Sequence, residues 1–327
     1  MDIYIKSSDA ISAQLSFEKG LPEYFESGEE SFYNCVKPEY KKYISPKLLR
    51  RMSPIIRNGV ACSLSVLKQA GIEQPDAIVV GTALGCLRDT TSFLTQLIEE
   101  KEELPNPTHF IQSTHNTIAG QIALLLKCHN YNFTFSQMHN SFETALLDAQ
   151  MLILDGKASN VLVGGVDEMS ETTYDLIKGL DCYKGTKPGE GAGFFVLSRE
   201  ESVVKFEGVR IINSDKVDFE KELKDMGLEL DEVDLVIGGN NQEDEAGYMD
   251  FCSVIGNKPY LWYKPFVGEY GTASSFAMWM ACKVIEEQKV PECWMKNRIA
   301  SEKYNKVLIY NKVGNEHSLM LMTKNKV

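Results

Sequence analysis

Phe133-Thr-Phe-Ser-Gln-Met-His-Asn-Ser-Phe-Glu-Thr-Ala-Leu-Leu-Asp-Ala-Gln150 reads as a short apolar strand, a sharp turn and a helix. This arrangement presents the turn residue to a helix N-terminus, whose unsatisfied N–H groups favour negative charge. A nucleophile elbow built in this way carries a thiol or hydroxyl at its tip. Here the tip is His139. The pattern predicts extended chain over 133–135 and a helix over 141–155, closed by Gly156.

Strands and helices alternate on both sides of this stretch. Ala77-Ile-Val-Val80 before Gly81, and Val161-Leu-Val163 before Gly164-Gly165, are continuous apolar runs, as expected of strands covered on both faces. Ser53-Pro54 predicts a helix with proline in its first turn and a stop at Gly71. Helical periodicity covers about 89–101 and 116–126, and Pro105 and Pro107 mark a loop between them. Further on, Asp234-Leu-Val-Ile237 again runs into a glycine pair, Gly238-Gly239. A helix follows over about 273–288, and residues 307–310 and 319–322 are strands. Central strands that end in Gly-Gly in both halves point to a duplicated α/β unit, set at residues 1–205 and 206–327. The Lys-, Glu- and Asp-rich stretch 215–231 reads as the boundary region. Gly189-Glu-Gly191-Ala-Gly193 precedes a strand instead of following one, so it reads as a tight turn between two strands and not as a phosphate loop.

Composition narrows the function classes. A chain of 327 residues buries a large core. A net charge of −12 argues against nucleic acid, which needs clustered positive charge. No apolar run reaches the roughly eighteen residues of a membrane span, and Met1-Asp-Ile-Tyr-Ile-Lys6 lacks the regions of a signal peptide, so a cytoplasmic location is expected. Eight scattered cysteines without C-x-x-C read as reduced, mostly buried thiols. The five histidines have no ligand spacing, so neither a metal nor another cofactor is expected. One basic run stands out: Lys41, Lys42, Lys47, Arg50, Arg51 and Arg57, with no acidic residue among them. It reads either as a solvated face or as a docking patch for an acidic partner such as a carrier protein.

Several motifs taken in order resemble the β-ketoacyl synthases of the thiolase-like superfamily, from the first helix to the last strand. They are Val79-Val-Gly-Thr-Ala-Leu-Gly85, Asn116-Thr-Ile-Ala-Gly-Gln-Ile-Ala123, Val163-Gly-Gly-Val-Asp-Glu-Met169, Gly189-Glu-Gly-Ala-Gly193, and Lys264-Pro-Phe-Val-Gly268 with Gly271-Thr-Ala273. The resemblance implies an α/β thiolase-like fold, two pseudo-repeated halves whose central sheets lie in αβαβα layers. It also implies a catalytic cysteine and two histidines. Those positions hold His139, Gly239 and Glu269, while Lys264 is retained. For Gly239 the following residues 240–245 do not match, so a register error stays open there; a shift of two at the elbow would place Gln137 at the tip. Neutral His139 is expected as a hydrogen-bonding plug.

In this superfamily an inactive paralogue, called a chain-length factor, pairs with an active synthase and helps wall its tunnel. The resemblance therefore implies a non-catalytic subunit of a β-ketoacyl-ACP synthase in polyketide, aryl-polyene or fatty-acid-like biosynthesis. Its interface would run along residues 131–137 and 108–116. Phe110, His115, Phe133, Phe135, Gln137 and Met138 are candidates for the interface or tunnel, with plain core packing as the alternative for Phe110 and His115. The acyl carrier protein would dock on Lys41, Lys42, Lys47, Arg50 and Arg51. Two other readings remain: an altered acyltransferase or hydrolase using His139 and Glu269, and a homodimer that binds acyl chains.

Overall fold

The computed structural model describes residues 1–25, 31–101, 107–179, 186–240, 246–297, 299 and 301–326. The first half comprises strands β1 (Tyr4–Ile11), β2 (Ala77–Gly81), β3 (Tyr131–Phe135), β4 (Asn160–Asp167) and β5 (Gly191–Ser198). Its helices are α1 (Pro46–Leu49), α2 (Pro54–Ala70), α3 (Leu87–Glu99), α4 (Pro107–Gln112), α5 (Thr117–Leu126), α6 (Ser141–Leu154) and α7 (Glu171–Gly179). The second half comprises β6 (Val204–Asn213), β7 (Leu235–Gly238), β8 (Tyr260–Trp262), β9 (Lys306–Val313) and β10 (Glu316–Lys324). With them come α8 (Phe219–Asp225), α9 (Ala246–Ile255), α10 (Lys264–Val267) and α11 (Ser274–Glu287).

The ten strands run in the order β3-β2-β4-β5-β1-β6-β10-β9-β7-β8. The seam between the halves is thin: β1 meets β6 through Tyr4 opposite Lys205 and Ile5 opposite Val204. On either side of it the plan is the same. Strand β2 is parallel to β3 and β4, and β5 lies antiparallel between β4 and β1. Likewise β7 is parallel to β8 and β9, and β10 lies antiparallel between β9 and β6. The duplicated α/β unit is thus a property of the fold.

Three apolar cores mark the helical layers. One joins α2 and α5 to Ile78 and Val80; the middle one joins α6 and α11 to Val79, Val163 and Ile309; the third joins α8 and α9 to Val236 and Leu308. Neighbouring residues of β2 enter different cores because side chains alternate across a strand. Two faces buried in this way explain the unbroken apolar run of 77–80, and the layers stack as αβαβα.

Some expectations change. The stretch 215–231 is not connecting chain: it holds α8, which buries Phe219 and Leu223 in the third core, and its charges line the solvent side. Pro107 opens α4 in place of a loop, as the first turn of a helix tolerates a missing N–H; Pro105 lies outside the described residues. Seven cysteines are free thiols, five buried and two half-buried, and Cys182 lies outside the described residues. No described helix is long and apolar enough to cross a membrane.

The two edges of the sheet differ. Beyond β8, Lys296 N–H donates to Tyr260 O at 2.8 Å, and Tyr260 N–H donates to Asn297 Oδ1 at 3.0 Å. At the other end, β3 is bonded only to β2 among the described strands. Its Tyr131 and Phe133 are 41% and 48% exposed, an unusual use of aromatic rings on an uncovered edge.

Candidate functional site

The turn between β3 and α6 is built from short contacts. Ser141 Oγ accepts from Gln137 N–H at 2.8 Å and donates to Met138 O at 2.8 Å, closing a 3-10 turn over Met138–Asn140. Met138 takes a φ of 48°, a left-handed conformation rare for a long side chain. The turn leaves Met138 half exposed and carries His139 toward the interior, at the start of α6. Burial, aided by the Lys264 ammonium, pushes the His139 imidazole down to about 4, so it is neutral at pH 7. Its Nδ1 is buried and makes no hydrogen bond. The expected hydrogen-bonding plug is, at that nitrogen, a steric one.

Lys264 opens α10, and Gly268, at a φ of 88°, turns the chain back so that Glu269 reaches Lys264. Lys264 Nζ lies 2.7 Å from Glu269 Oε2, with side chains 1% and 6% exposed. Glu269 N–H donates to Lys187 O at 2.9 Å, and Glu269 O accepts from Gly189 N–H at 3.0 Å. A Cβ on Gly189 would stand 2.2 Å from Val267 O, one on Gly191 2.2 Å from the Tyr270 hydroxyl, and one on Gly193 2.8 Å from Ser275 Oγ. The three alternating glycines therefore serve close packing against the α10–α11 region. Gly191 and Gly193 lie within β5 and Gly189 forms a bridge with Tyr33, so these positions are extended chain in place of the tight turn expected between two strands.

Gly239 follows β7, and its N–H donates to Tyr310 O at 2.9 Å. A Cβ there would meet Asn311 Oδ1 at 2.4 Å and the hydroxyls of Tyr248 and Tyr263 at 2.9 Å. All three of those side chains are buried. Position 239 is thus filled by neighbours as well as lacking a side chain. Residues 241–245, whose mismatch left the register open, lie outside the described residues.

Other charged groups of this region were not singled out from the sequence. Glu143, one turn into α6, is fully buried; Ser318 Oγ donates to its Oε1 at 2.8 Å. Burial raises its carboxyl above the ordinary value, against Ser274, Ser318 and Lys264. An acid in the first turn of α6, just after the elbow, was the legible signal. Asp167, at the end of β4, joins the halves: it accepts from Thr82 Oγ1 (3.0 Å) and Ala83 N–H (2.8 Å) in one, and from Thr272 N–H and Oγ1 (both 2.9 Å) in the other. Among the described residues no group of three His, Cys, Asp or Glu is placed to hold a metal ion.

The structure sets a half-buried His139 near the buried Lys264–Glu269 pair, with Gly239 beside Tyr263, the neighbour of Lys264. The remaining candidates lie elsewhere. Phe133 is on the open edge; Phe135 is half-buried against the middle core. Gln137 is exposed and accepts from Thr144 Oγ1. Phe110, 56% exposed on α4, has its ring 5.4 Å from that of Phe93. His115 is exposed and lies against Gly85. Lys41, Lys47, Arg50 and Arg51 are exposed around α1, while Lys42, also exposed, pairs with Glu18.

The model of the beta-ketoacyl synthase N-terminal domain matches residues 30–183. No curated protein sequence matches the chain. Similar solved structures include the ishigamide ketosynthase/chain length factor, 17% identical, with 99% of each chain covered and a TM-score of 0.78. A beta-ketoacyl synthase from Burkholderia phymatum STM815 is 16% identical over 99% of this chain and 100% of its own, with a TM-score of 0.80. The ketosynthase ApeO in complex with its chain length factor ApeC, from Xenorhabdus doucetiae, is 16% identical over 99% and 98%, with a TM-score of 0.77. The resemblance read from the motifs holds for the fold along the whole chain.

Proposed function

We propose that this chain, a thiolase-like fold of the β-ketoacyl synthase type, is a non-catalytic, chain-length-factor-like subunit. It would pair in the cytoplasm with an active β-ketoacyl-ACP synthase that builds polyketide, aryl-polyene or fatty-acid-like chains. The observation that carries this reading is the state of the three catalytic positions. His139 is a neutral imidazole, and an acyl-imidazole is too labile to store a growing chain. Glu269 places a carboxylate where an enolate would develop, the wrong sign for its stabilisation, and Lys264 holds it. Position 239 has no side chain and no room for one.

The open edge of the sheet supports a place for the partner. An uncovered edge strand with exposed rings offers unpaired backbone groups to a second strand. Leu124 of α5 and Leu147, Met151 and Leu154 of α6, all more than a third exposed, extend the apolar face beside it. Phe110, His115, Phe133 and Met138 would then face the partner's tunnel. Lys41, Lys47, Arg50 and Arg51 are the groups for an acidic carrier protein.

The test is co-expression of the tagged chain with triad-bearing synthases of its own genome, followed by native mass spectrometry. A one-to-one complex is expected. A clean homodimer, or turnover by the pure chain that disappears in His139→Ala, would overturn the reading.

A further inference from the structure

Away from the cluster around His139, a groove of about 600 Å³ lies between α3, α4 and the start of α7. Its walls include Arg88, Thr91, Thr95, His109, Ser170 and Thr172, with Glu99 and Glu100 at the far end of α3. Small-molecule sites of this size are mostly apolar with a few placed polar groups. This groove is the reverse, so it is no place for an acyl chain.

Its arginine is held from behind. Arg88 Nη2 donates to Met169 O at 2.7 Å, Nε lies 3.4 Å from Glu168 Oε2, and Nη2 lies 3.9 Å from Glu190 Oε2. Glu168 also accepts from Arg88 N–H at 2.9 Å, and Glu190 from Cys35 N–H at 3.0 Å and Met169 N–H at 3.2 Å. Both carboxylates are buried, at 5% and 6% exposure, whereas the arginine side chain is 38% exposed. A guanidinium fixed from one side in this way keeps its remaining donors oriented at little further entropic cost. Burial lifts Glu168 to about 7, against the pull of Arg88, so this carboxyl only partly cancels the arginine's charge near neutral pH. The other charged groups facing Arg88 are Glu190 behind it and Asp89 on the same helix, the latter 3.9 Å from His109 Nδ1. Glu99 is eleven residues along α3, roughly 16 Å away at 1.5 Å per residue, so it does not compete for the same ligand group.

We propose that this groove binds a small polar metabolite with a phosphate-type anionic head on Arg88 and His109. Its hydroxyl- or amine-bearing body would lie along Thr91 and Thr95 toward Glu99 and Glu100. His109 lies in α4, within the 108–116 stretch of the proposed interface, so the site is proposed for the chain without a synthase bound; Arg88, Thr91 and Thr95 belong neither to β3 nor to the catalytic positions.

The experiment is isothermal titration of the full chain with inorganic phosphate and with phosphoethanolamine, using ethanolamine alone as the control. Saturable binding is expected for the two phosphates, tighter for phosphoethanolamine. It should weaken at least tenfold in Thr95→Trp, which fills the groove from an exposed position, and in His109→Gln. Unchanged thermal midpoints in both variants separate loss of the site from loss of the fold. No saturable binding by the native chain, or binding that both variants leave intact, would overturn the proposal. Equal affinity for ethanolamine alone would overturn it as well.

Discussion

Replacing Glu269 with glutamine should destabilise the chain, and by an amount that depends on Glu143. The Lys264–Glu269 pair is closed off from water, at 2.7 Å. Removing one partner of a buried pair leaves an uncompensated charge and costs about 3–5 kcal/mol. An unfolding entropy of about 2.1 cal/mol/K per residue over 327 residues makes this a fall of about 4–7 °C in the thermal midpoint. Glu143 modifies the outcome. Burial holds its carboxyl toward the neutral form, and the Lys264 charge already pulls the other way. Once Glu269 is neutral, Glu143 is the buried carboxyl whose charged form Lys264 favours, and it can take over as counter-ion. Glu269→Gln alone should therefore fall short of the full cost, and Glu143→Gln/Glu269→Gln should reach it. The two changes should couple by about 1 kcal/mol or more beyond additivity. Lys264→Met/Glu269→Leu removes both charges and should lie near the native value or above it. Urea and thermal unfolding followed by circular dichroism, at one fixed protein concentration, read these three variants and Glu143→Gln alone. Additive effects of the two glutamine substitutions would refute the takeover by Glu143. A native-like midpoint in the double glutamine variant would refute the buried pair itself.

Three further outcomes are expected. Because the folded chain holds His139 near 4 against an ordinary 6.5, the unfolded chain binds its proton more readily in between. Stability from this group is thus complete above about pH 6.5 and is lost as pH falls toward 4, by roughly 3 kcal/mol; a native-minus-His139→Gln difference that is flat over that range would contradict it. Gly239→Ala should cost about 1–3 kcal/mol by overpacking against Asn311, Tyr248 and Tyr263, and His139→Cys/Gly239→His/Glu269→His should show no condensation of malonyl-carrier substrate; measurable turnover would show that a side chain fits at position 239. Phe133→Asp on the open edge should leave the thermal midpoint of the isolated chain within about 0.5 kcal/mol of native, as for an exposed site. The same substitution should abolish the complex with a synthase in native mass spectrometry; a persistent complex would move the interface elsewhere.

Much of the layered fold was legible because burial leaves a periodic trace. Residues 77–80 and 161–163 are apolar throughout since both faces of β2 and β4 are covered, and Gly71 and Gly156 stop their helices at φ values of 69° and 76° that other residues rarely adopt. Strand β8, three residues long, and the short β6 seam leave no such trace, as their place depends on partners far along the chain. The charged stretch 215–231 misled for a related reason: α8 buries only Phe219 and Leu223, so its composition is that of a surface.

The site divides in the same way. The sequence by itself determined which residues stand at positions 139, 239 and 269, because residue identity and motif order are local facts. Only the tertiary structure decided what those residues do to one another. The Lys264–Glu269 pair, the desolvated His139, the crowding at Gly239 and the acid Glu143 beneath them arise where β7, β9, α6 and α10 converge. Electrostatic and steric energies depend on distance and burial, and neither is written in the spacing of a chain.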